Sequence, residues 1–138
     1  MITFITGKKG SGKTKKLIER ANAAVTASNG NVVVIEKGLK LTYDVDHAAR
    51  LVDIEAYGIK GLDALFGFIS GICAGNYDVT DILVDSTLKI IGPDLQQLVP
   101  FAEKMSALAA MANTNITFLI SADCADIPDE VHKFANEI

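Results

Sequence analysis

Eight residues near the start of this 138-residue chain constrain it most. Gly7-Lys8-Lys9-Gly10-Ser11-Gly12-Lys13-Thr14 fills each fixed position of the pattern G-x-x-x-x-G-K-[ST]. Glycines at positions 7, 10 and 12 allow backbone angles that other residues avoid, and they let amides approach an anion closely. Successive N–H groups in such a turn form a concave nest for phosphate, and a helix opening at its end adds a positive dipole. Four constrained positions also occur by chance, so context decides. Met1–Thr6 is short, apolar and β-branched, and reads as a buried strand that ends at the loop. From Lys13 to about Ala27, Leu17, Ile18, Ala21, Ala24 and Val25 recur at helical spacing. Strand, loop and helix in that order are what the pattern requires. The candidate phosphate-binding residues are therefore Gly7, Lys8, Lys9, Gly10, Ser11, Gly12, Lys13 and Thr14. Lys13 would bring a mobile charge to the β- and γ-phosphates, and Thr14 a hydroxyl to Mg²⁺.

The rest of the chain alternates strands and helices. Val32–Ile35 reads as a second buried strand ending at Glu36, Arg50–Ile54 as a shorter third, Asp81–Asp85 as a fourth and Asn115–Ser121 as a fifth. Helices are expected over Gly61–Gly75, over a long segment from Pro93 to about Ala112 with Pro100 as a kink or break, and over Pro128–Ile138 with Asp126 or a neighbour as cap. Gly67, Gly71 and Gly75 stand four apart, a spacing that would allow close packing on a sheet. Residues 37–48 have no clear period and read as a loop with a short extended piece. Continuous apolar strands joined by helices predict an α/β domain over 1–138, with a mostly parallel sheet covered on both faces. Ligands in such folds bind beyond the carboxyl ends of the strands.

Charge narrows the choice of ligand. Net charge is −4, yet Lys8, Lys9, Lys13, Lys15 and Lys16 supply five of the thirteen basic residues within nine positions. Positive charge concentrated at one loop suits a compact polyanion, and nucleic-acid binding is not supported because no basic face runs along the chain. Cys73 and Cys124 lack metal-ligand spacing and are expected to be reduced thiols. No apolar run is long enough for a signal or a membrane span: the uncharged stretch Met105–Ala122 contains Asn113, Thr114, Asn115 and Thr117. The expectation is a cytoplasmic protein without a membrane partner.

Ile82-Leu83-Val84-Asp85 is an apolar strand ending in a carboxylate, which suits a residue that organises Mg²⁺ beside the loop. Together, GKKGSGKT, NVVVIEKG and YDVTDILVDS resemble the RecA-like branch of the P-loop NTPases, over about Met1–Ser121. The resemblance implies a three-layer αβα sandwich with five strands in the order 3-2-4-5-1. It also implies binding of ATP with Mg²⁺, with Thr14 and Asp85 at the metal and Glu36 polarising the attacking water. Glu36 and Lys13 are thus the candidate catalytic residues. Where relatives carry a γ-phosphate-sensing Gln after the fifth strand, this chain has Ser121 or Asp123, and Ser121 is the candidate sensor.

Only Arg20 and Arg50 could supply a guanidinium. Arg20 reads as solvated on the first helix and Arg50 as remote from the active edge, so hydrolysis is expected to be slow unless a partner or a second copy supplies an arginine. A small-molecule kinase is the alternative, although such enzymes need an acceptor pocket and usually an arginine-bearing lid. A nucleotide-binding regulatory module is a third reading. No N/T-K-x-D motif or D-x-x-G switch is present, which disfavours a GTPase. His47 and His132 have no partner in sequence, and Asp44, Asp46, Asp53 and Glu55 read as a solvated acidic face.

Overall fold

The computed structural model describes residues 2–38, 40–41 and 44–138. Met1, expected to open the first strand, and Leu39, Thr42 and Tyr43 of the loop lie outside the described residues. The strands are β1 (Ile2–Thr6), β2 (Asn31–Glu36), β3 (Arg50–Asp53), β4 (Val79–Val84), β5 (Asn115–Ile120) and β6 (Ala135–Glu137). The helices are α1 (Lys13–Ala27), α2 (Leu62–Gly75), α3 (Thr87–Ile91) and α4 (Leu98–Ala112). The sheet runs β3-β2-β4-β5-β1-β6 and every pairing is parallel. The five expected strands stand in the order 3-2-4-5-1, with a sixth added beside β1.

Side-chain alternation builds two cores. Ile2, Phe4, Val33, Ile35, Ile82, Val84, Ile116, Phe118 and Ile120 point to one face and meet α2, α3 and α4. Ile5, Val32, Val34, Leu83 and Leu119 point to the other and meet Leu17 and Ala21 of α1. Strands buried on both faces need apolar residues in both registers, which explains why they show no polar alternation. The first core centres on Phe4, Phe101 and Phe118, whose rings lie 4.8–6.5 Å apart in tilted or edge-on pairs. On the second face the loop after β2 adds Leu41, Val45 and Ala49. Asn22 of α1 fastens that loop, accepting from Asp46 N at 2.7 Å and donating to Asp44 O at 3.1 Å.

Five expectations are corrected. The helix foreseen from Pro93 begins at Leu98, after a 3₁₀ turn at Leu95–Gln97. Pro100 therefore falls in the first turn, where a missing N–H costs no helical bond, and it neither kinks nor splits α4. Gly67, Gly71 and Gly75 do not meet the sheet, because a Cβ built at each finds nothing within 4 Å. Pro128–Ile138 is not a helix: a 3₁₀ turn at Asp129–Lys133 leads into β6. β1 is apolar on both faces and would otherwise expose a row of unpaired backbone groups, which β6 covers. Ile138 N donates to Phe4 O at 2.9 Å and Thr6 N donates to Ile138 O at 3.2 Å. Arg20 is not simply solvated: it donates from Nε to Thr117 Oγ1 at 3.2 Å and from Nη2 to Thr3 Oγ1 at 3.4 Å, bridging β5 and β1.

Removing Ala135–Ile138 should lower the melting temperature by several degrees and promote self-association, as the β1 edge becomes free to pair. Thermal unfolding monitored by circular dichroism, with light scattering, checks this. Unchanged melting would mean that β6 contributes nothing to β1.

Candidate functional site

Because all six strands run parallel, the segments leaving β1, β2, β4 and β5 emerge at one edge of the sheet. A cavity of about 290 Å³ opens there. Lys9, Gly10, Lys13 and Thr14 line it from the glycine-rich loop, Asp85 and Ser86 from beyond β4, and Ser121 from beyond β5. Lys40, after β2, and Lys89, in α3, complete its charged rim.

The loop is held open as a turn. Gly7 N donates to Ala122 O at 2.9 Å, tying its start to the end of β5, and Ser11 N donates to Lys8 O at 3.1 Å. Gly10 and Gly12 each have φ near 85°, a region that strains residues with a Cβ. Gly12 caps α1 without a side chain, and the first turn of α1 contains no acid. Its leading amides have no helical acceptors and no local carboxylate to neutralise them.

Lys13 is only 6 % exposed. Its Nζ folds back on the loop and donates to Lys8 O at 2.8 Å. Burial pulls its pKa below the ordinary lysine value, and the Asp85 charge opposes that only in part. An ammonium can make three hydrogen bonds, and among the described residues this one makes a single bond in a desolvated position. Asp85 is half-buried: its N donates to Ile35 O at 2.8 Å, and its Oδ2 accepts from the Ser86 hydroxyl at 3.0 Å. Thr14 and Ser121 are both exposed at the cavity.

Glu36 lies apart from these. It is fully buried and does not line the cavity. Its Oε1 accepts from Lys40 N at 2.5 Å and Leu41 N at 3.2 Å, while Oε2 is buried with no partner among the described residues. Burial raises its pKa; the two amides pull it down, and Asp85 and Asp53 push it up. Lys8 also stands outside the cavity lining. It pairs at 3.7 Å with Asp123, whose carboxyl is held low first by the Ala125 amide, with Lys8 adding to it. Neither arginine lines the cavity, and Arg50 opens β3 at the opposite end of the strands. The acidic stretch partly serves turns: Asp53 Oδ1 accepts from Gly38 N at 2.9 Å and Glu55 N at 3.0 Å.

Lys40 and Lys89 were not among the residues expected here. Each stands four positions beyond a strand-end carboxylate, Glu36 or Asp85, and that spacing is the only signal the sequence offers for them. The sequence matches no family model and no curated protein at a significant level.

The raised pKa of Glu36 makes the protein's stability depend on pH. The Glu36 contribution is fully present below the ordinary carboxylate value of about 4.5 and is lost as pH rises through the folded value. Glu36→Gln keeps an acceptor for the Lys40 and Leu41 amides and removes the charge. Relative to the parent, this variant should gain stability as pH rises through that window. Glu36→Ala strands both amides and should cost about 1–3 kcal/mol. Urea unfolding of the three proteins from pH 4 to 8 measures this, and parallel profiles for parent and Gln variant would refute it.

Proposed function

We propose that the chain binds a nucleoside triphosphate, ATP with Mg²⁺, in the cavity between the loop Gly7–Thr14 and Asp85, and that it hydrolyses the nucleotide slowly. One observation carries the reading. A nearly buried lysine ammonium, held among the described residues by a single loop carbonyl, stands beside a helix N-terminus that has neither a side-chain cap nor an acid in its first turn. A triphosphate would satisfy both: loop amides would cradle its oxygens, and Lys13 would exchange Lys8 O for a phosphate oxygen. The P-loop class supports the same assignment through the match at GKKGSGKT.

The donor set suits Mg²⁺. Thr14 offers a hydroxyl and Asp85 a carboxylate in one cavity, both hard oxygen ligands. Among the described residues no three His, Cys, Asp or Glu side chains cluster to hold a metal, so the ion would arrive with the phosphates. When bound it would neutralise charge on the β- and γ-phosphate oxygens. Lys9, Lys40 and Lys89 would add positive potential at the rim, and Ser121 would offer a hydroxyl to the terminal phosphate.

Slow turnover follows from what surrounds the site. Glu36 is the candidate base, yet its Oε1 holds the Lys40 and Leu41 amides, so that segment must release it before it can orient water. No arginine lines the cavity, and an arginine finger is worth about 10³–10⁵ in rate. A second copy or a protein partner would have to supply one. No helix among the described residues is long and apolar enough to cross a membrane, and Cys73 and Cys124 are unpaired, which fits a cytoplasmic setting.

ATP with Mg²⁺ should raise the melting temperature, with a stabilisation of about 2.7 kcal/mol at a hundredfold excess over Kd. Lys13→Ala should weaken binding at least about tenfold. Thermal shift with ATP, GTP and their diphosphates, with and without Mg²⁺, tests the binding, and equal affinity of the Lys13→Ala protein would sink it. Glu36→Gln should reduce phosphate release while leaving binding intact. Unaltered release would remove Glu36 as the base.

A further inference from the structure

A second cavity, of about 570 Å³, opens beyond β3 and β4 at the same edge of the sheet. Lys37, Lys60 and Lys89 reach it from three separate segments, and Ile59 with the edge of Ile91 contributes apolar surface. Apart from the five lysines near the loop, the chain has eight basic residues, and three of them line this one cavity. Among the described residues its lining has one carboxylate, Glu55, which pairs with Lys37 at 4.0 Å. Among the described residues Lys60 and Lys89 have no ion pair. On a chain of net charge −4 this is a local excess of positive charge over an apolar floor.

Lys89 lines this cavity and also the one beside Lys13 and Asp85. We propose that the second cavity binds a small phosphomonoester, its phosphate held between Lys60 and Lys89 and its body on the isoleucines. Lysines act as point charges that suit phosphate, whereas planar carboxylate recognition favours the arginine fork. The volume lies in the usual range for small-ligand sites, about 300–1,000 Å³. The placement beside a triphosphate rests on the function proposed above; the anion site itself does not. With both occupied, Lys89 would face two phosphate groups, so each ligand's affinity depends on the other.

Amide NMR on ¹⁵N-labelled full-length protein tests this, with a non-hydrolysable ATP analogue and Mg²⁺ at saturation to block the loop. The probes are AMP against adenosine and ribose 5-phosphate against ribose. The phosphorylated members should shift Gly58, Ile59, Lys60, Gly61 and Gly92 saturably, and the neutral ones should not. Lys60→Glu, at an exposed position, should weaken the phosphorylated probes at least about tenfold. Shifts confined to residues 7–14, equal response to the neutral probes, or indifference to Lys60→Glu would each overturn the site. Lys13→Ala separates the two readings. It should weaken the analogue at least about tenfold while AMP still shifts Gly58–Gly61. If the analogue binds the Lys13→Ala protein as tightly as the parent, the triphosphate reading fails and the second site is judged on Lys60→Glu alone.

Discussion

Parallel pairing across the whole sheet governs this molecule. A parallel pair requires a crossover, so each strand delivers its carboxyl end to the same edge and its amino end to the other. The loop after β1, Asp85 after β4, Ser121 after β5 and the segment after Glu36 are distant in sequence, and this pairing alone brings them to one edge. β1 is the strand on which the arrangement turns. It is hydrogen-bonded to β5 on one side and β6 on the other, buried on both faces, and it launches the glycine-rich loop. Arg20 bridges Thr3 and Thr117 on the α1 face and helps hold β1 to β5 directly below that loop.

The edge so formed combines charges with burial in a way that stability alone does not favour. Lys13 is nearly buried with one hydrogen bond, and Glu36 is fully buried with one oxygen unpartnered among the described residues. Buried ionisable groups without full complements of partners are costly, and such groups cluster where a ligand or a reaction needs them. Both shift toward the neutral form for the same leading reason, loss of water. Asp85 acts on them in opposite senses: it steadies the lysine's charge and discourages the glutamate's. An anion entering beside Lys13 would favour the lysine's charged form and add to the pressure against a charged Glu36.

How legible the fold was depended on the kind of signal. β2, β4 and β5 are runs of apolar, mostly β-branched residues, and α1 has a regular helical period, so each was found within a residue or two of its ends. The failures came where tertiary need overrode local preference. Residues 128–138 carry a proline, charges and a helical look, but the open edge of β1 draws Ala135–Glu137 into the sheet. Three glycines on α2 suggested close packing, yet a Cβ at any of them would meet no neighbour, while Leu65, Ile69 and Cys73 are buried. A small side chain permits close approach without demanding it.

The chain's own order of residues determined the glycine-rich loop, the strand before it, the helix after it and the carboxylate ending β4. Each of these is a local pattern, written in consecutive residues and enforced by backbone geometry and apolar period. Tertiary structure alone decided that Lys13 is desolvated, that Glu36 is sealed behind the Lys40–Leu41 backbone, and that Lys40 and Lys89 join the cavity rim. Burial and charge proximity depend on which segments meet across the sheet edge, and contacts between segments distant in sequence, such as Lys13 with Asp85, leave no periodic trace along the chain.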